Sequence, residues 1–238
     1  MRIVQFVKGY FYHIFNRGVD KRNIFESDSD MWRFLQALFL FNDEKSSLNL
    51  LYRLERDKGA MNFNVLKKFF QEQGRNMDPL VRICADCLMP NHFHLLLEEI
   101  KENGISRFMH KVGTGYANFF NKKYDRVGSL FQGPYKAVMV EKDDYLQYLL
   151  AYINIINPAQ LIEPEIKEKG VVDIDKVLNF AETYQWSTHK YYLGKMESII
   201  INKGIFQNFF PTSEEYRDFS KKILLGKQYK SAGALFLE

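Results

Sequence analysis

The stretch Met89-Pro90-Asn91-His92-Phe93-His94-Leu95-Leu96-Leu97-Glu98-Glu99 decides how this chain is read. A Pro-Asn turn signal leads into an apolar run of strand length. Side chains alternate across a strand, so His92 and His94 share one face and Phe93 takes the other. Two imidazoles side by side on a rigid strand can both reach one metal ion. The plainer alternative is two partly exposed histidines that happen to alternate. The leucines that follow confine the polar cluster to the start of the strand.

With 238 residues, 46% of them hydrophobic, the chain can pack one large domain, or one domain with an elaboration. It has no run of 18 apolar residues and no charged-then-apolar leader, so no membrane partner and a cytoplasmic location are expected. The net charge of +4 permits nucleic-acid binding without demanding it. Basic residues cluster between Lys101 and Lys136, where Lys101, Arg107, Lys111, Lys122, Lys123, Arg126 and Lys136 face only Glu102 and Asp125. The two cysteines, Cys84 and Cys87, form a lone C-x-x-C, a weak signal for metal or redox chemistry. Both are read as buried thiols, facing opposite ways on a strand.

Working outward, Tyr10 to Phe15 reads as the first strand, closed by the turn Asn16-Arg17-Gly18. His13 reads as a strand-face residue rather than a ligand. Arg17, Lys21 and Arg22 put three cations in a short loop, suited to phosphates or to solvent. Met31, Phe34, Leu35, Leu38 and Phe41 recur at helical spacing behind Ser and Asp caps. The poorer pattern around 43–79, with short helices near 48–55 and 65–73, is read as an insertion. Leu80 to Met89 is the second strand and hairpin partner of the His strand. A long helix spans Gly104 to Lys123, where Gly113 and Gly115 allow close approach of DNA backbone or of a neighbouring strand. The loop Arg126 to Lys136 is basic and punctuated by glycine. Phe131 or Tyr135 can stack on a base there, or Phe131 can tuck into the core. A fourth strand covers 137–140. Tyr145, Tyr148, Leu149, Tyr152 and Ile156 then form a helical stripe that packing alone explains. Asn157-Pro158 ends that helix. A polar linker over 159–170 leads to small helices and a basic end with Lys221, Lys222, Lys227 and Lys230.

Four of these segments, "YHIFNRGVDKRNIF", "CLMPNHFHLLLEE", "GSLFQGPYKA" and "YQWSTHKYYLG", occur in an order that resembles the REP-associated tyrosine transposases. These are single-tyrosine enzymes with an HUH motif (His, hydrophobic, His). The strand and helix order independently suits a ferredoxin-like α+β fold. The resemblance implies such an antiparallel sheet with helices on one face, a catalytic domain over 1–160 and a helical extension over 161–238. It also implies cleavage and rejoining of single-stranded, hairpin-forming DNA through a 5′-phosphotyrosine. The nucleophile would be Tyr152, and the metal, Mg2+ or Mn2+, would be held by His92, His94 and an Asn. The DNA contacts would come from Arg17, Lys21, Arg22, Arg126, Phe131, Tyr135 and Lys136, in a monomer or homodimer.

One departure stands out. The family's Asn lies four residues after its tyrosine, but position 156 is Ile and Asn157 lies five residues on. An extra residue turns Asn157 by about 100° on an ideal helix. Either a local bulge restores the geometry or the third ligand is lost. The competing readings are a domesticated, catalytically weak protein that binds hairpin nucleic acid, and a metal-dependent hydrolase of another class.

Overall fold

The computed structural model describes residues 4–45, 50–58, 62–72 and 77–226. Parts of the insertion, and Lys227 and Lys230, lie outside the described residues. Four strands, β1 (Phe11–Arg17), β2 (Val81–Met89), β3 (His92–Glu99) and β4 (Lys136–Val140), form one sheet. Its order is β2-β3-β1-β4, and all its pairs are antiparallel. With α1 (Asp28–Phe41) after β1 and α4 (Gly104–Lys123) after β3, this is the ferredoxin-like α+β plan. Pro90 and Asn91 join β2 to β3 as a hairpin.

Register decides what each face carries. His94 pairs with Phe15 on one side and Cys87 on the other, and His92 pairs with Arg17 and Met89. The opposite face carries Tyr12, Ile14, Phe93 and Leu95, which pack with α1 and α4. Gly115 is what lets these two helices meet: a Cβ there would lie 2.6 Å from the Phe41 ring. The His face is covered too. Leu96, Ala85 and Cys87 share a core with α5 (Asp143–Ala151) and with the helices Ile174–Thr183 and Ser213–Leu224. Helices therefore lie on both faces of the sheet.

The start of α4 is held by a buried carboxylate. Glu99 accepts from the backbone N–H groups of Gly104 (3.0 Å) and Ile105 (2.8 Å), two donors the helix cannot itself satisfy. The chain between α1 and β2 contains α2 (Leu50–Lys58) and α3 (Phe63–Glu72). Its ends are tied together, with Asn42 Oδ1 accepting from Leu80 and Val81 and Asp43 Oδ1 accepting from Asp78. Near the C-terminus, the Trp186 carbonyl accepts from Leu88 and Thr188 donates to the Asp86 carbonyl. This segment covers the outer edge of β2, which would otherwise stand open to another chain.

The cysteines are buried and free. They do not face opposite ways, because the β2–β3 register shifts between Ile83 and Ala85 and both thiols join the same apolar core. Between them, burial pushes the Asp86 carboxyl up to about 7 from 3.8. From about pH 4 to about pH 7 the folded chain thus holds a proton that the unfolded chain has released. Stability attributable to Asp86 falls as pH rises through that window and is level above it. Asp86→Asn should remove this slope and raise stability at neutral pH by up to about 4 kcal/mol. Urea unfolding of both proteins across the window checks this. Parallel stability curves would show Asp86 to be ionised throughout.

Candidate active site

The hydrogen bonds around His92 assign its tautomer. Asn91 Nδ2 donates to the Lys21 carbonyl (3.2 Å), which leaves Asn91 Oδ1 facing His92 Nδ1 at 2.6 Å. His92 Nδ1 therefore carries the proton. Its Nε2 points at Asn157 Oδ1, 3.3 Å away. That oxygen already accepts from Gln160 Nε2 at 2.7 Å. Two lone pairs thus converge, an arrangement that a cation between them relieves.

Asn157 reaches this point because the helix changes form. Residues Tyr152–Ile156, directly after α5, make a π-helical turn, and the Asn157 N–H donates to the Tyr152 carbonyl five residues back. The wider turn accommodates the additional residue and sets Asn157 over the turn of Tyr152. Tyr152 itself is 2% exposed. Its ring stands perpendicular to His94 at 5.6 Å and near His13 at 6.0 Å, and it stacks on Tyr148 at 6.5 Å. Tyr148, by contrast, stacks between Tyr145 and Tyr152. All these contacts lie within one chain.

Two residues join the cluster that sequence reasoning did not put there. His13, read as a strand-face residue, is buried, and its Nε2 lies 2.8 Å from His94 Nδ1. Only the β1–β3 register brings them together, which the sequence does not display. Lys167, from the stretch read as a polar linker, lies in the short helix Ile166–Lys169, with its ammonium 5.3 Å from the Tyr152 ring centre. Burial, assisted by Lys167, lowers His13 to about 3. Burial, then His13, His92 and Lys167, holds His94 well below the usual histidine range. Both rings are neutral at physiological pH, the state a metal ligand needs.

As a metal site, this cluster offers two imidazoles and an amide oxygen. Among the described residues there is no metal-holding group of three or more His, Cys, Asp or Glu. So sparse a set suits a hard divalent cation that keeps water or substrate phosphate among its ligands.

The basic residues divide sharply. Gly18 donates to the Asn91 carbonyl, Val19 to Leu130 and Gln132 to Arg17, so three motif loops fasten at the His92 end of the sheet. Arg17, Gln132 and Lys136 line a cleft of ≈ 260 Å³ beside Phe15. Lys21 and Arg22 are exposed in the first loop, where Arg22 pairs with Asp20 at 3.0 Å. Arg126 lies over Phe120 and does not line the cleft. Phe131 packs edge-to-face on Phe93 at 6.0 Å, and Tyr135 is half-buried nearby. Most of the Lys101–Lys136 cluster is committed elsewhere. Lys101 pairs with Glu44 and Asp78, Arg107 with Glu44, and Lys123 with Asp30, while Lys111 donates to the Asp43 carbonyl.

Fold and site together set two histidines, a tyrosine and an asparagine amide at one end of an antiparallel sheet. Residues 52–155 match the family model described as "Transposase IS200 like". The resemblance read from the sequence motifs is thus shown over that stretch. One solved structure, described as the REP-associated tyrosine transposase bound to a REP hairpin, is 12% identical. The match covers 85% of this chain and 93% of that one, with a TM-score of 0.46, too distant a likeness to carry argument. No curated protein matches the chain. No helix among the described residues is long and apolar enough to cross a membrane.

The tautomer assignment is open to direct measurement. Long-range 15N NMR of histidine-labelled protein should find His92 protonated at Nδ1. Asn91→Ala should release that preference. An Nε2–H signal for His92 in the unsubstituted protein would overturn the assignment and with it the converging lone pairs.

Proposed function

We propose that the chain is a single-stranded DNA transposase that nicks and rejoins strands through a 5′-phosphotyrosine on Tyr152. The observation that carries this reading is the π-helical turn. It joins Tyr152, beside His94, to Asn157, beside His92, despite the added residue between them. Residues 1–160 would carry the chemistry, with an insertion around 43–79 and a helical extension from 161.

His92, His94 and Asn157 would hold a Mg2+ or Mn2+ ion, and His92 Nε2 and Asn157 Oδ1 already face each other. The ion would polarise the scissile phosphate and offset the charge that builds on it. His13 holds the His94 ring through Nδ1, as a partner behind a ligand commonly does. Asn91 does the same for His92, and Gln160 for Asn157. The Tyr152 oxygen would attack phosphorus, forming the phosphotyrosine bond as the bond to the 3′-oxygen breaks. The phenol gives up a proton and the departing 3′-oxygen gains one, so the exchange conserves the phosphodiester for rejoining. Lys167 lies near enough to Tyr152 to favour negative charge there. Arg17 and Lys136, with Lys21 and Arg22, would hold the backbone of the strand, while Phe131 and Tyr135 would contact its bases. Arg126 belongs to the same basic loop, outside the cleft. Since the cluster forms within one chain, a monomer is sufficient for chemistry, and a homodimer is compatible with it. Hairpin-forming DNA, in the cytoplasm, is the proposed substrate.

The burial of Tyr152 favours a second reading, a catalytically weak protein that binds hairpin nucleic acid. Cleavage of a labelled hairpin oligonucleotide with Mg2+ or Mn2+ separates the two. Under the first reading, His92→Ala and His94→Ala lose metal-dependent cleavage by about a hundredfold or more while still binding DNA. Tyr152→Phe keeps fold and affinity but forms no covalent adduct on a denaturing gel. An adduct with Tyr152→Phe would move the nucleophile elsewhere.

Affinity for single-stranded DNA should fall steeply with salt, since each phosphate contact releases counterions. Replacing both Arg17 and Lys136 by Ala should flatten the log–log slope by about 0.7 per cation. An unchanged slope in a filter-binding titration would exclude these two residues from the backbone contact.

A further inference from the structure

We propose that the cleft between α4 and the 131–135 loop is a nucleobase pocket, holding one base of a bound single strand; this rests on the single-stranded DNA reading above. The cleft has a volume of ≈ 290 Å³. Its floor is Phe93, the residue between the two histidines but on the other face of the sheet, with Phe131 edge-to-face against it and Met109 alongside. Its helical wall presents Ser106, Met109, His110 and Gly113, spaced so that one face of α4 carries all four.

Gly113 is the telling residue. α4 contains two neighbouring glycines in its interior, where glycine is unfavourable relative to alanine. Gly115 is accounted for by the Phe41 ring packed on it. A Cβ on Gly113 would meet nothing within 4 Å, so packing does not call for glycine there. What its missing side chain does is widen the cleft. His110, one turn earlier on the same wall, is exposed and makes no hydrogen bond among the described residues. It offers ring nitrogens to the edge of a base, while the half-buried rings of Phe131 and Tyr135 along the cleft offer a surface for its face.

The neighbouring cleft shows why the occupant is a nucleotide. Asn16, Gly133 and Pro134 line both clefts and form the wall between them. Asn16 Nδ2 donates to the Gly133 carbonyl at 3.0 Å and so braces that wall. On one side stand Arg17 and Lys136, and on the other the aromatic floor. No carboxylate lines either cleft. A ligand that bridges them presents an anion to the first and a flat polar ring to the second, as a nucleotide of a DNA strand does.

The test compares short dT, dA and dC oligomers with an abasic oligomer of the same length, by fluorescence anisotropy. The wild-type protein should bind at least one base-bearing oligomer about tenfold more tightly than the abasic one. Gly113→Leu, which fills the cleft and suits a helix, should bind base-bearing and abasic oligomers alike without losing thermal stability. His110→Ala should narrow the differences among dT, dA and dC. Gly113→Ala should keep most of the preference. A wild-type protein that binds none of the oligomers overturns the DNA reading and the pocket together. A wild-type protein that binds DNA, beside a Gly113→Leu variant with the wild-type ratio, overturns the pocket alone.

Discussion

The pairing of β3 with strands on both its edges is the constraint from which the rest follows. A strand hydrogen-bonded on two sides cannot slip by one residue without exchanging its faces. His92 and His94 are therefore locked to one side, and Phe93 and Leu95 to the other. The same pairing sets His13 against His94 and Arg17 against His92. One register thus creates both the imidazole cluster and the cationic cleft beside it. It also divides the labour of the sheet: the His face carries charge and polar contacts at one end, and the opposite face holds the aromatic core against α1 and α4.

The second constraint is helical pitch. An α-helical continuation of α5 would turn Asn157 away from the histidines. The π-helical turn accepts a poorer local hydrogen-bond pattern, and such turns persist where something else holds them. Here the holding contacts are visible. Asn154, inside the turn, accepts from the Thr188 hydroxyl at 2.6 Å and donates to the Tyr216 hydroxyl at 3.1 Å. Tyr216 is held in turn by His189 Nδ1 at 2.8 Å. The C-terminal helices thus do more than cover the sheet. They brace the turn that orients Asn157, so the geometry near His92 depends on residues far along the chain.

Much of this was legible from local pattern. Alternation gave the His face, the Pro-Asn turn gave the hairpin, and the five-residue spacing from Tyr152 to Asn157 posed the choice between a bulge and a lost contact. What was not legible depended on pairings between distant segments. His13 could not be placed without the β1–β3 register. Lys167 sat in a stretch with no periodicity to assign it a face. The Lys101–Lys136 cluster looked like a continuous basic surface, but Glu44, Asp78 and Asp30, contributed by earlier segments, neutralise much of it. A bulge of one residue at Cys84 was enough to reverse the expected orientation of one thiol relative to the other.

The distribution of charge that remains has its own logic. Cations near the insertion are paired, so they add little to long-range attraction for an anionic ligand. Those at the His92 end are carried on loops tied to one another by backbone hydrogen bonds, which limits how far they can spread. Attraction is thereby focused on one end of the sheet, beside the buried histidines. Burial, with Lys167 acting in the same direction, keeps His13 and His94 neutral. The cations thus stand at the rim and the neutral rings within, so positive charge surrounds the centre of the site without filling it. That leaves the centre to His92 Nε2 and Asn157 Oδ1, which face each other at 3.3 Å between neutral rings.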